Sequence, residues 1–202
     1  MKTDVIHVKN TGEGYEEALN QAEAVAAYKK LSHKDSIRLR LLAEEMLGMF
    51  HTIAHREADF WIEDDGSRNF QLHLAAETHM TQGKRKALLG VSTSGENAAA
   101  KGVMGKLRDM FAKALEPDDD FLPSYFIGGW YTNDIAEASL LSMRAMEVEM
   151  WSMSRYKASL DARKEESEWD ELEKSIVANL ADDVRISIRG EKVEMVILKS
   201  FA

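Results

Sequence analysis

The apolar period of this chain changes from helical to alternating close to position 57, and that switch restricts it to helices packed beside a sheet. Before the switch, Ile37, Leu41, Met46 or Leu47, Phe50 and Ile53 supply the core face of a helix from about His33 to His55. After it, Phe60 and Ile62 alternate across Asp59 to Glu63, and Phe70, Leu72 and Leu74 alternate with Gln71 and His73. Asp64-Asp65-Gly66-Ser67 lies between these two runs and contains the Asp-Gly pair of a hairpin turn.

The rest of the chain extends this pattern. Thr3 to Val8 reads as a first strand, broken by Gly12-Glu13-Gly14. Tyr15 to Leu31 is helical, with Ala18, Ala22 and Val25 at helical spacing and Leu19 and Ala26 on the same side. Ser32 followed by Asp35 is a capping-box variant that opens the long helix. Asn97 to Leu115 is a further helix, with Val103, Leu107, Met110, Phe111 and Ala114 on one face. Val184 to Ile188 and Val193 to Leu198, joined by Arg189-Gly190-Glu191-Lys192, close the chain as a hairpin.

Between them, Asp134 to Leu160 and Ser167 to Leu180 read as helical. Met143, Met146, Met150 and Met153 recur there at helical spacing, which suits a helix core or an adaptable interface. The expected architecture is α+β: one domain over residues 1–202, helices on one face of a mixed sheet, and a helical insertion over 134–180. The expected role of such a section is partner binding or homodimerisation. No internal repeat is visible.

Net charge is -9, which argues against a nucleic-acid surface. There is no cysteine, so disulfide and thiolate chemistry are absent. The opening residues have no apolar core of the signal-peptide type, and no apolar run approaches the ~20 residues of a membrane span. The expectation is a cytoplasmic protein with no membrane or nucleic-acid partner.

Candidate chemistry centres on Leu41-Leu42-Ala43-Glu44-Glu45-Met46-Leu47-Gly48-Met49-Phe50, where two acids interrupt an apolar helix. A buried carboxylate costs several kcal/mol unless paired or bound. His51 and His55, four residues apart, have the spacing of a zinc-chelating pair but lack the glutamate of the zincin motif. Lys84-Arg85-Lys86 suits an anion contact or a solvated loop. Gly128-Gly129-Trp130-Tyr131 suits a binding surface or a loop folded onto the core.

The order of elements, with a glutamate on the long helix before a hairpin, resembles the ATP-binding domain of the histidine kinase, gyrase-type ATPase and anti-sigma-factor serine kinase superfamily. The family is called GHKL and its two-layer fold the Bergerat fold. The likeness covers roughly residues 15–115 and 180–200. It implies that Glu45 matches the catalytic acid that orients water. Met49 falls where the family has the Asn that holds Mg²⁺, and a thioether is a poor ligand for a hard cation.

The adenine-reading Asp of the family falls on Ala76 and its first glycine on Thr78. Glu77 replaces the Asp only through a one-residue slip, which would turn its side chain to the other face. Gly102 and Gly105 match the glycines of the lid and phosphate-binding helix. The nucleotide-binding set implied is therefore Met49, Ala76, Glu77, Thr78, Gly102 and Gly105, with ATP and Mg²⁺ as cofactors bound weakly, in altered form or not at all.

The implied function is regulatory, through contact with a partner such as a bacterial sigma factor or an anti-anti-sigma-like regulator. One alternative is an active ATP-dependent serine kinase or ATPase that uses Glu77. A second is a metal-dependent hydrolase built on His51 and His55.

Overall fold

The computed structural model describes residues 1–51, 56–77, 105, 111–112, 115, 148–163, 175–189 and 192–201. The elements in chain order are β1 (Ile6–Lys9), α1 (Tyr15–Tyr28), α2 (His33–His51), β2 (Glu57–Asp64), β3 (Asn69–Glu77), β4 (Val148–Ser152), α3 (Met153–Arg163), α4 (Ile176–Leu180), β5 (Asp183–Arg189) and β6 (Lys192–Ser200). The fold is α+β. Gly105, Phe111, Ala112 and Leu115, within the helix expected over 97–115, are helical, and Phe111 and Leu115 are buried.

Local signals account for the early elements. Gly14 has φ +81°, and a Cβ there would fall on the carbonyl of His7, so glycine is required where the chain turns from β1 into α1. Ala18, Ala22, Val25 and Ala26 of α1 are buried, as their spacing implies. Ser32 caps α2: its Oγ accepts from the backbone N–H of Asp35 at 3.2 Å and lies 2.6 Å from Asp35 Oδ2. In the β2–β3 turn, Asp65 Oδ1 accepts from the N–H of Ser67 at 2.7 Å, and Gly66 has φ +95°.

The buried face of α2 differs from the expected one. It is formed by Leu39, Leu42, Ala43, Met46, Leu47, Met49 and Phe50, whereas Ile37 is 51% exposed and Leu41 half-buried. Ile37 and Leu41 each stand two residues before a core residue, about 200° around the helix. The apolar stretch of α2 is broad enough to read on two faces, and packing selects one.

Among the described residues the sheet has six strands, in the order β1-β2-β3-β6-β5-β4. Every pairing is antiparallel, so the expected mixed sheet is corrected to an antiparallel one. The expected helical section over 134–180 is also corrected in part. Val148–Ser152 is an edge strand paired with β5, while Met153–Arg163 and Ile176–Leu180 are helical. Five residues alternate too briefly to stand out against methionines at helical spacing.

Alternate strand residues enter one apolar cluster with α1 and α2: Ile6 and Val8, Phe60 and Ile62, Leu72 and Leu74, Val184 and Ile186, and Met195 and Ile197. Tyr156, Leu160 and Val177 from α3 and α4 join the same cluster, so the core spans the whole sheet.

The strand order conceals a repetition. Among the described elements, β1-α1-α2-β2-β3 and β4-α3-α4-β5-β6 follow the same order, and the sheet reads outward from β3 and β6 identically in both directions. The β3–β6 ladder runs from Asn69 opposite Ser200 to Glu77 opposite Lys192, with His73 opposite Val196 at its centre. Both edge strands even carry one extra residue against their neighbours. Lys2 to Ile6 spans Glu63 to Phe60, and Glu149 to Trp151 spans Ser187 to Ile186. The described strands and their helices thus form two strand–helix–helix–strand–strand units related by a pseudo-two-fold axis at the β3–β6 seam.

Candidate functional site

Of the positions matched to nucleotide chemistry, Met49 and Ala76 are core residues. Met49 is 6% exposed and Ala76 is 2% exposed, both within the central apolar cluster. Ala76 lies opposite Val193, and Glu77 ends β3 opposite Lys192 with its side chain exposed. Glu45 is half-buried on α2 beside that core face. Its carboxyl is pushed above the ordinary carboxylate range by burial, and further by the neighbouring charge of Glu44. Gly105 is helical and half-buried, while Thr78 and Gly102 lie outside the described residues.

His51 is exposed at the end of α2, 6.3 Å edge-on from the ring of Tyr15, and His55 lies outside the described residues. Among the described residues no group of three His, Cys, Asp or Glu side chains would hold a metal ion. Lys84-Arg85-Lys86 and Gly128-Gly129-Trp130-Tyr131 are outside the described residues, as are Met143 and Met146. Met153 is fully buried in the core. No helix of the described residues is long and apolar enough to cross a membrane.

The side chains that do converge lie on the sheet face opposite the apolar cluster. Trp61 on β2 and His73 on β3 are direct cross-strand partners, and their rings stack with centroids 4.7 Å apart and planes 7° from parallel. From β6, Glu194 Oε1 lies 2.7 Å from His73 Nδ1. Nδ1 thus faces a carboxylate oxygen, its donor or acceptor role set by the tautomer. His73 Nε2 is buried and, among the described residues, has no hydrogen-bond partner. His73 occupies the centre of the β3–β6 ladder, so the cluster sits on the seam between the two units.

Trp61 is held from its other end as well. Its Nε1–H donates to Glu63 Oε1 at 2.8 Å, and Lys2 Nζ lies 4.6 Å from the ring centroid and 3.3 Å from Glu63 Oε1. The Trp61 hydrogen bond, then Lys2 and His73, hold the Glu63 carboxyl below its ordinary range against a smaller opposing effect of burial. Two more contacts extend the same row between β1 and β2: His7 Nδ1 to Asp59 Oδ1 at 2.5 Å and Lys9 Nζ to Glu57 Oε1 at 3.9 Å. Charged side chains facing one another across antiparallel strands favour one register over its slips.

Sequence reasoning missed this cluster because Glu194 is 121 residues from His73. The Trp61–His73 half was within reach. The Asp64–Ser67 turn sets the hairpin register, and both residues occupy the outward parity of their strands. Chemically the arrangement presents an indole, a carboxylate beside it and an imidazole held by a second carboxylate. No protein-family model, curated protein or solved structure matches the chain.

Proposed function

We propose that the chain is a regulatory protein that acts by binding a partner protein, with nucleotide binding weak or lost. The observation that carries the second half is the use of Met49 and Ala76. The residue matched to the Mg²⁺ amide and the residue matched to the adenine-reading carboxylate are both apolar and both built into the core. Phosphoryl transfer depends on positioning and on metal-borne charge neutralisation, and neither side chain supplies them. The fully antiparallel sheet also weighs against a working Bergerat ATPase, for which a mixed sheet is expected.

The partner-binding half is supported by the Trp61–Glu63–Lys2 row. Aromatic groups combined with charge on a sheet face suit recognition of another protein. A sigma-factor-like or anti-anti-sigma-like regulator is the partner class suggested by the sequence likeness. A two-layer arrangement is proposed for the frame, supported by the helix residues of α1 and α2 in the sheet's apolar cluster.

Calorimetric titration with ATP and ADP, with and without Mg²⁺, tests this reading. The expected result is no Mg²⁺-dependent heat at micromolar nucleotide. Micromolar, Mg²⁺-dependent binding that disappears in Glu45→Ala would overturn it in favour of an active kinase or ATPase.

A further inference from the structure

The geometry points to the Trp61–Glu63 face as a recognition site for a cationic side chain of the partner, an ammonium or guanidinium, held in this structure by Lys2 acting in cis. It rests on the partner-binding reading and specifies the partner's chemistry. Lys2 shows what the site accepts: its Nζ meets both the indole ring, at 4.6 Å, and the Glu63 carboxylate, at 3.3 Å. A quadrupolar ring face with an ionised acid at its edge favours a cation over any neutral group of the same size. The side chain of Lys2 is 56% exposed, so a partner's cation can replace it without opening the core.

The receiving side is rigid where the occupant is not. His73 stacks on the indole, Glu194 orients His73, and Glu63 accepts from the indole N–H at 2.8 Å. A preorganised acceptor loses less freedom on binding. The acidic balance of the chain, -9, adds attraction for a basic partner at long range.

The pseudo-two-fold axis supplies a second argument. The counterpart of His73 is Val196, and the β5 residue paired with Val196 is Arg185, so Arg185 stands where Trp61 stands in the other unit. Arg185 instead pairs with Asp183 at 3.0 Å. A strand–helix–helix–strand–strand unit therefore closes without an indole at this position. The cation site is an addition to the framework and not a requirement of it.

The test uses the full chain and three acetylated tripeptide amides, Gly-Lys-Gly, Gly-Arg-Gly and Gly-norleucine-Gly. The readout is the Trp61 indole N–H resonance, identified by its loss in Trp61→Phe. The lysine and arginine peptides are expected to shift it saturably at millimolar concentration, and the norleucine peptide is not. Lys2→Ala should tighten both cationic peptides about fivefold, the effect of removing a cis competitor held by one exposed cation–π contact and one surface ion pair. Glu63→Gln should weaken them.

Equal responses to lysine and norleucine, no saturable shift at tens of millimolar, or an unchanged affinity in Lys2→Ala would each overturn the site. Unchanged binding in both Glu63→Gln and Trp61→Phe, the latter followed by calorimetry, would do the same. Such a failure leaves the broader reading standing, because that reading falls only to Mg²⁺-dependent nucleotide binding.

Discussion

Replacing Lys29 with methionine should destabilise this fold far more than a lost surface ion pair. Lys29 ends α1, its backbone N–H bonded to the carbonyl of Val25, and its Nζ contacts Asp64 Oδ2 at the end of β2. The Asp64 side chain is completely buried, while Lys29 retains 19% exposure. The other bond to that carboxylate among the described contacts comes from the N–H of Gly66, at 3.0 Å, and Asp64 Oδ1 has no partner. Lys29→Met therefore leaves a buried carboxylate with one backbone donor. Removing one member of a buried pair costs about 3–5 kcal/mol, and the partial exposure of Lys29 places this case near the lower end. At about 2–4 °C per kcal/mol for a chain of this size, the thermal midpoint should fall by roughly 6–12 °C. The assay is thermal unfolding followed by circular dichroism at neutral pH. Asp64→Asn introduced into the Lys29→Met background should recover part of the loss, because the stranded charge is removed while an oxygen remains for Gly66. A shift under about 1 °C for Lys29→Met, or no recovery in the double variant, would refute the buried-charge reasoning and place the pair among ordinary surface contacts.

Two smaller effects follow from the same structure. Ser32→Ala removes the α2 cap and should cost about 1 kcal/mol, lowering the thermal midpoint by about 2–4 °C, with Ser32→Asn close to the parent. Glu45→Gln should stabilise the chain at pH 7, by less than about 1 kcal/mol after solvent screening. The sign follows from the raised carboxyl of Glu45: the folded state binds its proton more tightly than the unfolded state, so stability is lost as pH rises from the ordinary value of 4.5 through the raised one. Urea midpoints of the two proteins should therefore converge below pH 4.5 and separate above it, and a gap that widens at low pH would contradict the assignment.

What the sequence makes legible is what local physics decides. The α1 face, the Ser32–Asp35 cap, the Asp64–Ser67 turn and the closing hairpin each depend on residues within a few positions of one another, and each is present. The buried face of α2 is legible at Met46, Leu47 and Phe50 but not at its start, because Ile37 and Leu41 satisfy the same periodicity as Leu39 and Ala43, and only packing chooses between them. β4, the antiparallel order and the Lys29–Asp64 pair depend on long-range pairing that one chain's periodicity does not encode. Of the residues implied by the family likeness, Met49 and Ala76 lie in the core and satisfy packing, which an apolar side chain on a periodic face does not distinguish from a site role.

The repetition of the strand–helix–helix–strand–strand unit was invisible in the sequence for a related reason. The two units share only the parity of their buried positions. Leu72 and Leu74 of β3 face Ile197 and Met195 of β6, and all four enter the same core. Parity constrains a residue to be apolar without specifying which one, so two units can diverge completely and still close the same sheet. The helical connection leaves more freedom still, since α1 and α2 span Tyr15 to His51 while Met153 to Leu180 serves the other unit. Where the framework leaves the outward parity free, a difference between the units reflects something other than closure of the sheet. The row of Trp61, His73, Glu63 and Glu194 against a counterpart containing Val196 and Arg185 is such a difference, and it lies at the seam where both units contribute side chains. This difference, rather than Glu45 on the helix, is what supports the partner-binding proposal.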